Sequence, residues 1–445
     1  MKEQIVEKIR NAGVVGAGGA GLPTHVKANA TVDTVLVNGA SCEPLLSSDP
    51  HLMETEIDTM IRGLHAVMDC TGASKGIICL KGKHAAAMAS VREAVSRDTT
   101  GRLEAFELKD FYPAGDEHVL VHEVLGKTVP EGGIPLAIGA VVSNVETFCN
   151  IAAAMDDKPV THRYLTVTGE VGQHMVVKVP VGTMVADVLA HAGGATISDY
   201  KVVDGGPMMG RVLPDTARPV TKTTSGLIVL PPDHTVVARK IMDPDRVRRI
   251  TTSICCQCTH CTDLCPRNLL GHSLHPHKLM RIFDGLMSDE LIVETAKEAL
   301  LCSECGVCEK FACPMMVSPR EVNAQIKKIM RQQGVRWESD GSEPVTNPFR
   351  SDRFVPTSRL IQRLNLTKYD THPAYAGEFV PDRVTIPLAQ HIGAPAQCRV
   401  AVGETVSAGD LIGEIPEKAM GARVHASING TVESVADGMV VIRSC

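Results

Sequence analysis

Two runs of cysteine carry the chemistry of this chain: Cys255, Cys258, Cys261 and Cys265 followed by Pro266, then Cys302, Cys305, Cys308 and Cys313 followed by Pro314. Three thiolates on one tight loop grip one face of a cubane while a fourth arrives from farther along, so runs close to C-x2-C-x2-C-x3-C-P hold 4Fe-4S clusters. Two runs imply two clusters, and electron transfer becomes the default function. Zinc would favour two ligand pairs with a long gap, and C-x2-C-x2-C crowds too many thiolates for one tetrahedral ion. Disulfides fit poorly with a chain that opens without a signal peptide and scatters its remaining cysteines singly, a pattern expected of a reducing cytosol.

The second run departs from the pattern, with four residues, Glu309 to Ala312, before its last cysteine. In bacterial two-cluster ferredoxins the fourth cysteine of each run serves the other cluster, so Cys313 is expected to complete the first site and Cys265 the second. Cys256, beside Cys255, is read as a non-ligand, although register alone leaves a swap between them open.

The elements that must position these groups fall into several units. At 445 residues the chain has room for about three domains. A net charge of −6 gives no basic field for nucleic acid, and 3% aromatics with one tryptophan argue against a stacking platform for single strands. The longest apolar run, Ile134 to Val142, is far too short to span a membrane. Residues 1–155 alternate helical and strand-like stretches, with strands at Thr34 to Val37 and Gly76 to Leu80 and a helix over Leu52 to Met68, as in an α/β unit with a parallel sheet. Residues 161–230 read as short β-branched strands with one helix near Val185 to Ala192. The cysteine region is helical, Glu338 to Asp352 reads as a linker, and 380–445 returns to short strands turning at glycines.

The loop Gly16-Ala17-Gly18-Gly19-Ala20-Gly21, with Lys27 following, lets backbone amides and a cation approach a phosphate. Its G-x-G-x-x-G match does not make a Rossmann fold. An amphipathic helix rather than a strand precedes Gly16, and Asn38 stands about where a dinucleotide fold needs an acid.

This loop resembles the flavin loop of the complex I flavoprotein subunit and of the RnfC protein of Rnf-type electron transport complexes. The resemblance continues through Val37-Asn38-Gly39-Ala40-Ser41-Cys42-Glu43-Pro44, Tyr112-Pro113-Ala114-Gly115-Asp116-Glu117 and Val142-Ser143-Asn144-Val145-Glu146-Thr147. It implies that Gly16, Gly18, Gly19, Lys27, Asn38, Gly115, Asp116, Asn144 and Thr147 line FMN, with Glu43 and Glu117 near NADH as the catalytic carboxylates. Relatives often carry an acid where this chain has Ala40 and Ser41. Cys42 is read as packing rather than nucleophile.

Asp204-Gly205-Gly206-Pro207-Met208-Met209-Gly210 resembles the β-grasp (SLBB) domain of the same family, and Pro387 to Pro395 with His425 to Val432 resembles its barrel-sandwich domain. Placed at the end of a chain that begins with the flavin loop, that order resembles the cobalamin reductases of propanediol-utilisation microcompartments. The implied architecture is an α/β FMN/NADH domain (1–158), a β-grasp domain (159–235), a helical ferredoxin-like two-cluster domain (245–337), a linker (338–379) and an all-β barrel-sandwich domain (380–445). A lipoate or biotin site at Lys418 is the lesser reading, since family relatives use the sandwich unmodified.

A hydride donor supplies two electrons and a cubane accepts one, so a flavin between them is the needed converter. The expectation is therefore NADH to FMN to two 4Fe-4S clusters to cobalamin, reduced toward Co(I) in support of adenosylcobalamin regeneration. Expected partners are an adenosyltransferase and microcompartment shell or electron-transfer proteins, in the cytoplasm inside a microcompartment. No D-x-H-x-x-G motif offers a lower ligand to a corrin. The His272-Ser273-Leu274-His275-Pro276-His277 stretch reads mostly as solvated loop, with acceptor docking as its sharper alternative. Rival readings are a ferredoxin-linked or Rnf-like electron transport protein and a non-enzymatic wiring protein.

Overall fold

A computed structural model describes residues 2–283, 288–339 and 341–444. The N-terminal unit is built on strands β1 (Thr34–Gly39), β2 (Lys75–Lys81), β3 (Leu103–Leu108) and β5 (Ala140–Asn144), while β4 (Phe111–Tyr112) pairs elsewhere. The four pair in parallel in the order β3-β2-β1-β5. β2 buries all but its first residue and β1 buries Val35, Leu36, Val37 and Gly39, as continuous apolar runs do when helices cover both faces of a parallel sheet. The register sets Asn38 beside Asn144 at the carboxyl ends of β1 and β5. In open α/β sheets that edge is where ligands bind.

Helix Ile57–Thr71 buries Ile57, Met60, Leu64, Val67 and Met68, spaced for one helical face, and stops at Gly72 with φ of 76°. It packs on helix Val145–Met155. Gly63 permits their close approach, because a Cβ there would lie 1.9 Å from the Phe148 carbonyl oxygen. The single helix expected over Leu52 to Met68 is two, Ser48–Thr55 and Ile57–Thr71. They divide at Glu56, whose φ of −120° is not helical.

Strands His162–Gly169, Met175–Pro180, Lys201–Asp204, Arg211–Val212 and Gly226–Leu230, with helix Val185–His191, form the β-grasp unit. Its sixth strand, at one edge, is Tyr375–Glu378, from within the stretch 338–379 that reads as a linker. The same stretch supplies Val355–Pro356, antiparallel to β4, and helix Thr357–Arg363. Leu360, Ile361, Leu364, Leu366 and Tyr369 join a buried cluster with Tyr112, Met208 and Cys305. The Ser, Pro and Asp of its first half suggest a linker, but these apolar residues follow at helical spacing and have a surface to cover.

The C-terminal unit stacks a four-stranded sheet on a three-stranded one around Val384, Ile386, Ile412, Val424, Ala426 and Ile442. Lys418 sits exposed on the turn after strand Leu411–Glu414. The cysteine region is helical, with Pro244–Ile254 and Pro319–Gln332 its longest described helices. Cys308–Ala312 forms a π-helical turn, whose i→i+5 bond encloses one residue more than an α-turn. That turn accommodates the extra residue before Cys313.

Candidate functional site

The glycine loop is held from several sides. Its ends close on themselves, Gly16 N–H donating to the Leu22 carbonyl at 2.9 Å. Ala17 N–H donates to Thr147 Oγ1 at 3.0 Å, and the Ala17 carbonyl accepts from Arg163 at 2.6 Å. Ile392, from the C-terminal unit, donates its N–H to the Gly21 carbonyl at 2.9 Å. Gly18, Gly19 and Ala20 are left exposed at the tip, and Gly19 adopts φ of 103°, a backbone form that side-chain-bearing residues rarely take. A Cβ on Gly18 would sit 3.4 Å from Asn144 Cβ, so the tip lies against the carboxyl edge of the sheet.

The other flavin-motif residues gather at the same edge. Asn38 Nδ2 donates to the Gly115 carbonyl at 2.9 Å, and Gly115 is packed so closely that a Cβ would meet Cys42, Ala40 and Asn38 at 3.0 to 3.2 Å. The exposed amides of the loop tip, at the same sheet edge, are of a kind that suits a phosphate. Asn144 caps helix Val145–Met155 and donates to both oxygens of Asp49, at 2.9 and 3.0 Å. Thr147 is fully buried and acts on the loop from beneath. Asp116 caps helix Glu117–Leu125 by accepting from the His118 and Val119 amides.

Lys27 and Glu117, expected at different ligands, form one ion pair at 2.8 Å, and Lys27 also donates to the Val142 carbonyl at 2.8 Å. Glu43 is placed apart from them. Its two oxygens accept the Met208 and Met209 amides, each at 2.8 Å, which ties the flavin unit to the Gly206–Met209 loop of the β-grasp unit. Burial holds Glu43 above the ordinary carboxylate range, opposed by those amides and by Lys240 and Lys310. Burial pushes the Cys42 thiol up to about 11, so it stays protonated at neutral pH.

Among the described residues no three His, Cys, Asp or Glu side chains close round a single ion. The cysteines ring two hollows instead. The first is lined by Cys255, Cys256, Cys258, Cys261 and Cys313, and the second by Cys265, Cys302, Cys305 and Cys308. The fourth cysteine of each run thus reaches the hollow of the other. Arg267 also lines the second hollow, with Nε and Nη1 buried and without a partner. Buried donors are seldom left so, and they suit a thiolate-bound cluster of negative charge.

Two arginines that lie outside the sequence motifs also hold the site. Arg163 lies in a β-branched strand, where a charge needs buried partners, and it finds Glu146 at 2.6 Å and the glycine loop. Arg267 directly follows Cys265-Pro266 and pairs with Asp116 at 3.0 Å, joining the flavin motif to the second hollow. A basic residue beside a Cys-Pro pair is the signal that could have found it. No described helix is long and apolar enough to cross a membrane.

Four family descriptions match the chain: Nuo51 FMN-binding domain over 9–153, SLBB domain over 164–212, 4Fe-4S dicluster domain over 254–318, and RnfC barrel sandwich hybrid domain over 371–444. The chain is 42% identical to cobalamin reductase PduS of Salmonella typhimurium, over 99% of its own length and 96% of that protein. It is 41% identical to the protein of the same name from Citrobacter freundii, with the same coverage. A component of the Na(+)-translocating ferredoxin:NAD(+) oxidoreductase complex of Acetobacterium woodii is 34% identical over 64% of this chain and 63% of that component.

Proposed function

The chain belongs to the cobalamin reductase PduS family, and we propose that it transfers electrons from NADH through FMN and two 4Fe-4S clusters to cobalamin. The observation that carries this reading is the Asp116–Arg267 pair at 3.0 Å, which sets the flavin motif against a hollow ringed by four cysteines. Bound there, FMN would supply the conversion of a two-electron hydride donor into the one-electron steps that a cubane can accept.

The chain's own residues divide the work. The Gly16, Gly18 and Gly19 backbone and Lys27 would receive the flavin phosphate, with Asn38, Gly115, Asp116 and Asn144 shaping the ring site and Thr147 bracing the loop. Glu117 and Glu43 would be the carboxylates that orient the donor, Glu117 from its pair with Lys27 and Glu43 from its anchorage on the Met208 and Met209 amides. Cys255, Cys258, Cys261 and Cys313 would hold one cluster, and Cys302, Cys305, Cys308 and Cys265 the other, leaving Cys256 free.

Reduction of cob(III)alamin or cob(II)alamin to cob(I)alamin would supply the nucleophile that an adenosyltransferase alkylates, inside a microcompartment. Anaerobic NADH oxidation by the holoprotein, with cobalamin, ferredoxin or viologen as acceptor, tests it. Cobalamin reduction dependent on flavin and iron is the expected result. Turnover with ferredoxin and none with cobalamin would make the chain an Rnf-like electron transport protein, and failure of NADH to reduce bound flavin would make it a wiring protein.

A further inference from the structure

The two cysteine hollows are not equivalent. In the second, Cys265, Cys302, Cys305 and Cys308 are all buried, with at most 9% of each exposed. Three contacts join this hollow to the flavin motifs. The Tyr112 hydroxyl donates to the Cys305 carbonyl at 2.7 Å, three residues before Gly115 of the ring cradle. Asp116 pairs with Arg267. Gly306, at φ of 80°, lies against Met208, since a Cβ on it would be 3.6 Å from Met208 Cε, and the Met208 amide is held by Glu43.

The first hollow is more open on one side, although Cys261 and Cys313 are 9% and 8% exposed. Cys258 is exposed and Cys255 half-buried, with His260 exposed beside them and Met315 and Met316 exposed near Cys313. Among the described residues its lining bonds mainly to neighbours in the same region, Cys255 N–H to the Thr251 carbonyl, Gln257 to Cys255 Sγ, and Thr262 with His277, while Arg353 reaches the Asp263 carbonyl behind it at 3.2 Å.

Resting on the proposed FMN and cluster reading, we infer that the relay runs in reverse sequence order: electrons enter at the Cys302-Cys305-Cys308-Cys265 site, which the Tyr112–Cys305 bond holds against the flavin motif, and leave from the Cys255-Cys258-Cys261-Cys313 site, whose Cys258 is exposed. One electron at a time passes from reduced flavin to the entry site, which is reoxidised by the exit site, which is reoxidised by the external acceptor; the reductant is a reduced nicotinamide nucleotide. Tyr112 is a positioning residue in this scheme. Its hydroxyl fixes the Cys305 loop against the flavin motif.

Anaerobic NADH reduction followed by optical flavin spectra and by electron paramagnetic resonance of the clusters separates the two orders. In Cys258→Ala, the remaining cluster is expected to be reduced by NADH while acceptor reduction is lost. In Cys305→Ala, flavin is expected to be reduced, and the remaining cluster to respond to dithionite but not to NADH. The opposite pattern, an NADH-reducible cluster in Cys305→Ala and an unreduced one in Cys258→Ala, overturns the order. Tyr112→Phe keeps the ring and removes the bridge, so cluster reduction should slow at unchanged flavin and iron content; an unchanged cluster-reduction rate removes Tyr112 from the path. Should NADH fail to reduce flavin in the parent protein, the underlying functional reading falls, and that result is distinct from a reversed order.

Discussion

Lys27 Nζ lies 2.8 Å from Glu117 Oε1, so a cation from the glycine-loop segment and an acid from the Tyr112-to-Glu117 motif neutralise each other at the edge of the parallel sheet. The pair and the Val142 carbonyl, 2.8 Å from the same ammonium, hold Lys27 beside the glycine loop, where it would have to turn from Glu117 to meet a phosphate. Lys27→Ala should weaken FMN retention by about 1.5 to 3 kcal/mol, roughly tenfold to a hundredfold in affinity, at unchanged iron content. Flavin released on dilution or gel filtration measures it. A variant that holds FMN as tightly as the parent removes Lys27 from the site.

Glu43 and Glu117 differ in what holds them, and their variants should differ accordingly. Glu117→Gln should spare flavin content and impair NADH turnover. Glu43→Gln should impair turnover too, and it must also turn an amide group toward the Met208 or Met209 N–H, leaving a donor without an acceptor at a cost of about 1 to 3 kcal/mol. Steady-state NADH kinetics beside thermal melting reads both. Unchanged kinetics in Glu117→Gln defeats its assignment.

Anaerobically purified protein should contain about eight irons, from two cubanes of four. The crossed arrangement of the hollows adds a sharper expectation. Cys313→Ala should lose the same spectroscopic signal as Cys258→Ala, and Cys265→Ala the same signal as Cys305→Ala. If Cys313→Ala instead matches Cys305→Ala, each run completes its own cluster.

Lys222 sets a pH dependence on stability. Its ammonium is buried at the junction of three units, donating to the Gly13 carbonyl at 2.8 Å and the Arg423 carbonyl at 2.7 Å, with His391 and His425 nearby. Burial lowers its pKa from 10.5 to about 7. Between about pH 7 and 10.5 the unfolded chain therefore holds a proton that the folded chain has released, so this residue makes stability rise with pH across that window, by at most about 1.4 kcal/mol per unit. Below about pH 7 both states are protonated and its contribution is flat. Urea midpoints at pH 7, 8 and 9 should climb less in Lys222→Met than in the parent, and parallel slopes would assign the dependence elsewhere.

Spacing along the chain makes the two cysteine runs, the glycine loop and the alternation of strand and helix in residues 1–155 visible, because groups that must crowd on one short loop and strands that must be buried on both faces each impose a local pattern that survives in one dimension. Local propensity was a poorer guide to residues 338–379: a Ser- and Pro-rich beginning reads as linker, while the helix and edge strand that follow exist only because other units offer a cluster and a sheet edge to complete. The Tyr112–Cys305 bridge, the Asp116–Arg267 pair, the junction at Lys222 and the unequal exposure of the two hollows join residues tens to hundreds of positions apart. Sequence types the groups that can transfer electrons; which of them face one another, and which face solvent, depends on long-range packing that carries no local period, and only the tertiary structure decides it.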